Sequence, residues 1–171
     1  MRQKRNKNTR ERGQAVLEVT LMMPWIYFLF VGVLDFGFYS YQAICVENAA
    51  RVAAVQIATN FVGLSSVGCS IAVPEMKRLT NVANNGTPCT DGSTAVSSGT
   101  PMAVNVLKLD KNSNPKCADC DCTKVSPATC AAASSVQVAV TYQSPQMVSI
   151  PGLLTNQLQI RRLAEVRIIV P

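Results

Sequence analysis

Histidine is absent from the 171-residue chain, which limits the chemistry that the other residues can perform. Without it there is no Ser-His or Cys-His pair for nucleophilic catalysis and no imidazole ligand for a metal. No glycine-rich phosphate loop opens a helix after a strand. Asp110, Asp119 and Asp121 do not have the spacing of an EF-hand loop. We therefore expect no catalytic residue, no metal site and no cofactor, and predict that the chain is not an enzyme.

Six cysteines are candidates for disulfides: Cys69, Cys89, Cys117, Cys120, Cys122 and Cys130. An even number in an oxidising compartment predicts disulfides, and six cysteines allow 15 pairings, among which the sequence does not choose. The close spacing from Cys117 to Cys130 leaves a zinc site as the alternative. Cys45 lies in an apolar stretch and is expected to be a buried small hydrophobe.

Two acids accompany a long apolar stretch. Residues 19–34 carry no charge, Asp35 interrupts the run, and residues 36–46 are again uncharged. About 18 or more apolar residues predict a membrane-spanning helix, which we place at about residues 19–41. An acid at bilayer depth faces protein or marks a functional position. Asp35 is therefore either an acid that needs a partner or the point where the chain leaves the lipid.

Glu18 lies at the mouth of this apolar stretch and has an explanation if the chain is cut between Gly13 and Gln14. The cut would leave a free amine at Gln14, on the positive end of the helix dipole. Glu18, one turn further on, can neutralise that amine in its own chain or in a neighbouring chain. Helix physics alone equally allows Glu18 to be an interfacial first-turn acid.

Most of the positive charge lies before this cut. Residues 1–13 contain six basic residues and one acid, so their removal lowers the formal charge from +6 to +1. The basic composition therefore does not indicate nucleic-acid binding. Basic residues beside a membrane span keep that side in the cytoplasm, which predicts that residues 61–171 lie outside. A general secretory signal is the alternative, but its apolar region would be shorter, and Ala43 and Cys45 make a poor cut site.

The order of these features resembles a known family. The basic leader, Gly13 and the string Gln14-Ala15-Val16-Leu17-Glu18 before an apolar helix look like a type IV prepilin signal. The continuation is similar to the TadE-like proteins, minor pilins or pseudopilins of the tight-adherence (Tad) pilus system. The matching positions are Pro24, Gly32-Val33-Leu34-Asp35-Phe36-Gly37, Tyr41-Gln42-Ala43 and Asn48-Ala49-Ala50-Arg51. The resemblance implies that a prepilin peptidase cuts after Gly13 and that Glu18 is the fifth residue of the mature chain.

From Gln14 the pattern predicts a helix to about Asn60, preceded by a loosely attached leader, residues 1–13. Pro24 lies inside this helix, where its ring clashes with the carbonyl of Thr20. It is read either as a tolerated membrane kink or as a local melt that lets the helix adapt in a filament. Glu47 and Arg51 form an i,i+4 pair of the favoured orientation.

Residues 61–171 predict a small outer α+β domain held by disulfides. The expected elements are a short helix at Pro74–Ala83 and strands at Met102–Leu109, Ser135–Tyr142 and Leu158–Val170. The inward set of the last strand is predicted to be Leu158, Ile160, Leu163, Val166, Ile168 and Val170. Arg161-Arg162 disturbs its alternation and predicts a bulge or a twist. Antiparallel strands laid on the distal half of the long helix would give a pilin-like α+β fold.

These features favour a minor pilin or pseudopilin that takes part in the assembly of a Tad-type pilus for adhesion or secretion. Its expected partners are the prepilin peptidase, other pilin subunits, the inner-membrane assembly platform and the membrane itself. It would span the inner membrane once, with its amino terminus inside, before entering the extracytoplasmic pilus. The alternative is a single-pass anchored receptor or sensor domain that never assembles.

Overall fold

The computed structural model describes residues 8–60, 64–96, 99–118, 134–145 and 157–168. Within these ranges the chain forms three helices and five strands. The helices are α1 (Asn8–Asn60), α2 (Ser65–Met76) and α3 (Thr80–Ala83). The strands are β1 (Cys89–Asp91), β2 (Met102–Leu109), β3 (Pro115–Ala118), β4 (Ser135–Gln143) and β5 (Gln159–Arg167). The chain divides into two compact units, Met1–Phe38 and Tyr39–Pro171, so the boundary falls inside α1.

Helix α1 ends at Asn60, as the sequence predicts, but begins at Asn8, ahead of the predicted start at Gln14. The segment before Gly13 contains Arg and Glu, which favour helix, and no proline. Its backbone can therefore continue the helical hydrogen bonds while the chain is uncut. The expectation of a loosely attached leader is wrong for residues 8–12, which are helical, and residues 1–7 lie outside the described residues.

The first unit consists, where it is described, of the first half of α1. Its large apolar side chains point outward on every side of the helix, from Val16 and Leu17 to Leu34 and Phe36. One helix among the described residues, within Gly13–Thr59, is long and apolar enough to cross a membrane, and none of its most apolar window is buried. A helix that is apolar all round requires lipid or other helices around it.

The second unit contains a mixed sheet with strand order β1-β2-β4-β5, and β3 pairs with β2. The pairs β2–β4, β4–β5 and β2–β3 are antiparallel, whereas β1 runs parallel to β2. The predicted α+β class is confirmed, and the antiparallel sheet is corrected to a mixed one. Strands β1 and β3 were not predicted, because three or four residues are too few to show an alternating pattern.

The core of this unit forms between the distal half of α1, helix α2 and the sheet. Helix α1 contributes a buried stripe of mostly small residues: Val46, Ala49, Ala50, Ala53, Ala54, Ile57 and Ala58. Valines of β2 and β4 pack in the same cluster, namely Val104, Val106, Val136, Val138 and Val140. The strand predictions at Met102–Leu109 and Ser135–Tyr142 are confirmed, β4 being one residue longer than predicted.

Helix α2 replaces the short helix predicted at Pro74–Ala83. Pro74 lies in the last turn of α2 instead of its first, and Thr80–Ala83 forms the separate one-turn α3. The sequence pattern did not predict α2, because a glycine such as Gly68 is unfavourable inside a helix. A Cβ atom built at Gly68 would lie 2.9 Å from Val104 Cγ1 and 3.3 Å from Val106 Cγ2. Glycine is thus present because α2 packs closely on β2, and Ser65 Oγ also accepts a hydrogen bond from the Val106 N–H at 3.1 Å.

Strand β5 pairs with β4 in one uninterrupted register, so the bulge predicted at Arg161-Arg162 is absent from this strand. Its even-numbered positions face the core: Ile160 is buried, and Ala164, Val166 and Ile168 are partly buried. Leu158 and Leu163, predicted to point inward, are exposed. The sequence pattern misplaced Leu163 because it has the wrong parity for the face that Ile160 occupies. Leu158 has the right parity but lies before the first residue of β5. Val170 lies outside the described residues.

Candidate processing and assembly site

Gly13 and Gln14 lie within the second turn of α1, so their peptide bond has helical conformation in the uncut chain. Both residues are exposed, and no atom comes within 4 Å of the position that a Cβ of Gly13 would take. Glycine is roughly 1 kcal/mol less favourable than alanine inside a helix. The bond is therefore accessible and lies where the helix is easiest to unwind.

Glu18 follows Gln14 by four residues, about 6 Å along the helix axis, and its side chain is exposed. The described residues contain no ion pair that involves Glu18. Between Gly13 and Ala50 the sequence contains no Lys, Arg or His. A free amine at Gln14 would consequently be the one cationic group that this helical segment could offer to Glu18.

Pro24 sits inside α1, six residues beyond Glu18, and cannot donate a backbone hydrogen bond to the carbonyl of Thr20. The hydroxyl of Thr20 donates to the carbonyl of Val16 at 2.8 Å. The carbonyl of Val16 therefore accepts a side-chain hydrogen bond, and the carbonyl of Thr20 lacks its usual main-chain hydrogen bond. This places a weak point in the helical ladder close to Glu18.

Asp35 lies 17 residues beyond Glu18, about 25 Å along the helix axis, and is partly exposed. At Gly32 and at Gly37, no atom lies within 4 Å of the position that a Cβ would take. The structure therefore groups Gly13, Gln14 and Glu18 in neighbouring turns and leaves Asp35 apart from them. Open space at each glycine would let another helix approach closely at that point.

Gln42 is a polar residue whose burial the sequence did not predict. It is 0% exposed, and among the described residues neither its Oε1 nor its Nε2 has a hydrogen-bond partner. An unpaired buried amide costs free energy and is uncommon in folded proteins. The sequence offered only a weak signal, because a glutamine between Tyr41 and Ala43 is equally compatible with an exposed position.

Tyr142 is a buried titratable group of the second unit. Burial raises the pKa of its hydroxyl from 10.0 to about 12; the hydrogen bond with Asn81 opposes this rise, and Cys45 adds to it slightly. The Tyr142 hydroxyl donates to Asn81 Oδ1, and Asn81 Nδ2 donates to the carbonyl of Gln143 at 3.0 Å. These bonds connect α3 to the end of β4, which is a structural role.

The cysteines are divided by the structure. Cys69 of α2 is bonded to Cys89 of β1, with a Cα–Cα distance of 5.9 Å, and Cys117 is also disulfide-bonded. A bonded Cys117 cannot serve as a zinc thiolate, which removes one ligand from the zinc alternative. Cys120, Cys122 and Cys130 lie outside the described residues. Cys45 is free and partly buried. The described residues contain no group of three or more potential metal ligands.

An exposed apolar helix of membrane-spanning length, followed by a small disulfide-bonded domain, indicates membrane anchoring. The TadE-like protein family model matches residues 13–55. This match confirms the resemblance stated from the sequence over that segment, which is about a quarter of the chain. It begins at Gly13 and includes Glu18, Pro24 and Asp35. Comparison with curated proteins and with solved structures found no match.

Proposed function

We propose that the chain is a minor pilin or pseudopilin that enters a Tad-type pilus after a prepilin peptidase cuts between Gly13 and Gln14. The observation that carries this proposal is the order of features within residues 13–55, the segment that matches the TadE-like model. An exposed glycine comes first in that segment. A carboxylate follows about one turn later, and after it comes a helix whose most apolar stretch has no buried side chains. The proposed role is structural and requires no catalytic residue or cofactor.

The physical basis of assembly is the exchange of lipid for other helices around the first half of α1. Lipid tails and apolar side chains are similar solvents, so burial alone does not favour this exchange. A charged pair does, because an isolated amine or carboxylate is costly in an apolar environment and a paired one is less so. Cleavage creates that amine at Gln14. Pairing of Glu18 with the amine of a neighbouring subunit would then select the correct axial register.

The amino-terminal side is proposed to remain in the cytoplasm, where its basic residues hold it before cleavage. The disulfide-bonded second unit would lie on the outer side of the inner membrane, since disulfides persist in oxidising compartments. The partners would be the peptidase, other pilin subunits and the inner-membrane assembly platform. The pilus would serve adhesion or secretion.

The decisive experiment is the intact mass of the protein purified from host cells with and without the peptidase. The proposal expects a chain that begins at Gln14 in the first case and at Met1 in the second. If the chain begins at Met1 in both, the protein is a permanently anchored outer domain, and a receptor or sensor role replaces the pilin role.

The role of Glu18 is tested separately by Glu18→Ala. We expect this variant to insert into the membrane and to be cut normally, but to lower the yield of subunits recovered in sheared surface filaments at least tenfold, roughly the effect of 1.4 kcal/mol. Glu47→Ala is the matched control, because it removes an acid from the same helix at a position already paired with Arg51. Equal filament yields for both variants would eliminate the proposed role of Glu18.

A further inference from the structure

Strand β5 forms an open edge of the sheet. It is the last strand in the order β1-β2-β4-β5, and no described strand pairs with its outer side. It is nine residues long, contains no proline and has a regular register with β4. An open edge of this kind is a template for pairing with another strand.

The hydrogen-bonding pattern shows which backbone groups of β5 are free. Ser144 donates to the carbonyl of Leu158 at 2.9 Å, and Ile168 donates to the carbonyl of Ser134 at 2.9 Å. Bonded pairs alternate in an antiparallel ladder, so the even-numbered residues of β5 bond to β4. The odd-numbered residues consequently direct their N–H and C=O groups outward: Gln159, Arg161, Leu163, Glu165 and Arg167. Their side chains are also all exposed.

We propose that β5 is a homotypic contact site, at which β5 of one copy pairs antiparallel with β5 of a second copy. Leu163 is the central residue of the strand and is 56% exposed. If Leu163 lies opposite Leu163, the strand is complementary to itself along its whole length. Arg161 then faces Glu165 twice, and Gln159 faces Arg167. All of these are outward-bonding residues, so backbone and side-chain complementarity coincide.

Charge selects this register over its neighbours. The two adjacent registers that keep the odd-numbered residues bonded place Arg162 opposite Arg162, or Arg161 opposite Arg167. Like charges directly opposite each other destabilise a strand pair. In the proposed register Arg162 lies opposite Ala164, and no two like charges face each other. The charges of β5 therefore favour one alignment of the two strands over the neighbouring alignments.

The contact has two-fold symmetry. The axis that relates antiparallel edge strands is perpendicular to the sheet, so pairing joins the second units of two copies edge to edge in one continuous sheet. Copies displayed on two membranes or filaments that meet would form this contact, which makes β5 a site of self-adhesion.

This arrangement rests on the membrane anchoring in the proposed function, and it depends neither on leader cleavage nor on filament assembly. The test uses the full chain reconstituted in phosphatidylcholine vesicles labelled with two colours, and it measures vesicle association by fluorescence cross-correlation. Wild-type vesicles should associate. Arg161→Glu and Glu165→Arg should each reduce the association of identical vesicles roughly tenfold, because each converts both Arg–Glu pairs into like-charge pairs.

Mixing provides the specific test. Arg161→Glu vesicles mixed with Glu165→Arg vesicles should recover association, because every facing pair is again of opposite charge. The double variant should recover it on its own. Arg162→Glu is the matched control, since it reverses a neighbouring charge that lies opposite Ala164, and its association should stay within about twofold of wild type.

Several outcomes would overturn the inference: wild-type vesicles that stay dispersed, mixed variants that do not recover, or an Arg162→Glu variant as defective as Arg161→Glu. Charge-dependent pairing of chains within one vesicle, without association between vesicles, would overturn the role of β5 in self-adhesion. None of these readouts changes with cleavage at Gly13, so failure here and failure of the pilin proposal are distinguishable.

Discussion

The two halves of helix α1 are built from different side chains and have opposite surroundings. The half before Phe38 carries large side chains such as Leu21, Trp25 and Phe28, and these are exposed. The half after Tyr39 directs mostly alanines toward the sheet, and these are buried. In a soluble amphipathic helix the large apolar residues would be buried and the small or polar ones exposed. The helix is therefore suited to two environments, and only one of them is supplied by its own chain.

Side-chain size explains the division. The alanines occupy little volume, and Ile57 and the valines of β2 and β4 belong to the same buried cluster. Large side chains in the first half find no partner among the described residues of the chain. Their stabilisation must come from lipid or from other subunits. Substitutions in the buried half of α1 should therefore lower the stability of the second unit. Similar substitutions in the exposed half should not.

The largest expected contrast is between two isoleucines of the same helix. Ile57 is 1% exposed and Ile26 is 49% exposed. Ile57→Ala should lower the free energy of unfolding of the second unit by about 2–5 kcal/mol, because it leaves a cavity against the sheet. Ile26→Ala should change it by less than about 0.5 kcal/mol. Urea unfolding of the detergent-solubilised chain, monitored by hydrogen exchange in β2 and β4, measures both changes in free energy. Equal effects of the two substitutions would show that the two halves of α1 do not differ in this way.

The sequence allowed much of this contrast to be predicted, because it depends on long patterns. The charge-free run before Asp35 predicted the membrane segment, and alternating valines predicted β2 and β4. The end of α1 at Asn60 was predicted as well. What the sequence could not provide was the direction of a short strand. Three residues, Cys89–Asp91, have no periodicity, and their parallel pairing with β2 depends on the position of α2 and the Cys69–Cys89 bond.

At the candidate site the sequence predicted the order of features but not their surroundings. Gly13, Gln14 and Glu18 are defined by spacing along one helix, so spacing was sufficient to propose them. Gln42 was missed because burial without a partner depends on tertiary packing, which no local pattern shows. The misplacement of Leu163 has the same origin, since the face of an edge strand is set by the strand beside it.

The second prediction concerns pH and applies to the second unit alone. The pKa of Tyr142 is about 12 in the folded chain, against 10.0 for an ordinary tyrosine. The folded chain therefore holds the hydroxyl proton of Tyr142 more tightly than the unfolded chain does. The resulting contribution to the free energy of unfolding is complete below pH 10 and is lost as the pH rises to 12. The loss should be roughly 2–3 kcal/mol, at about 1.4 kcal/mol per pKa unit.

Tyr142→Phe is the control for the pH prediction. It should cost about 1 kcal/mol near neutral pH, because Asn81 Oδ1 loses the hydroxyl that donates to it. The variant should also show a shallower decline in unfolding free energy between pH 10 and 12 than wild type. Parallel declines in the two proteins, measured by urea unfolding at several pH values, would exclude Tyr142 as the titrating group.

The third prediction compares two glycines. Gly68→Ala should lower the unfolding free energy of the second unit by about 1–3 kcal/mol, because its Cβ would meet Val104 Cγ1 at 2.9 Å. Gly32→Ala meets no atom within 4 Å and should make α1 slightly more stable, by up to about 1 kcal/mol. In filaments the second change could still interfere with a neighbouring helix, so the purified chain and the assembled one should be measured separately. Destabilisation of the purified chain by Gly32→Ala would contradict the open surface around it.

The smallest expected effect concerns Glu47 and Glu18. It distinguishes the stability of the purified chain from its assembly into filaments. Glu47 and Arg51 form an exposed salt bridge in the second half of α1, so Glu47→Ala should cost only a few tenths of a kcal/mol. Glu18→Ala in the uncut, purified chain should cost no more, because no described cation pairs with it. If the two acids differ only in filament yield, the carboxylate in the first half acts between subunits. If Glu18→Ala instead destabilises the purified chain, Glu18 has a partner within its own chain, and its proposed part in selecting register loses its physical basis.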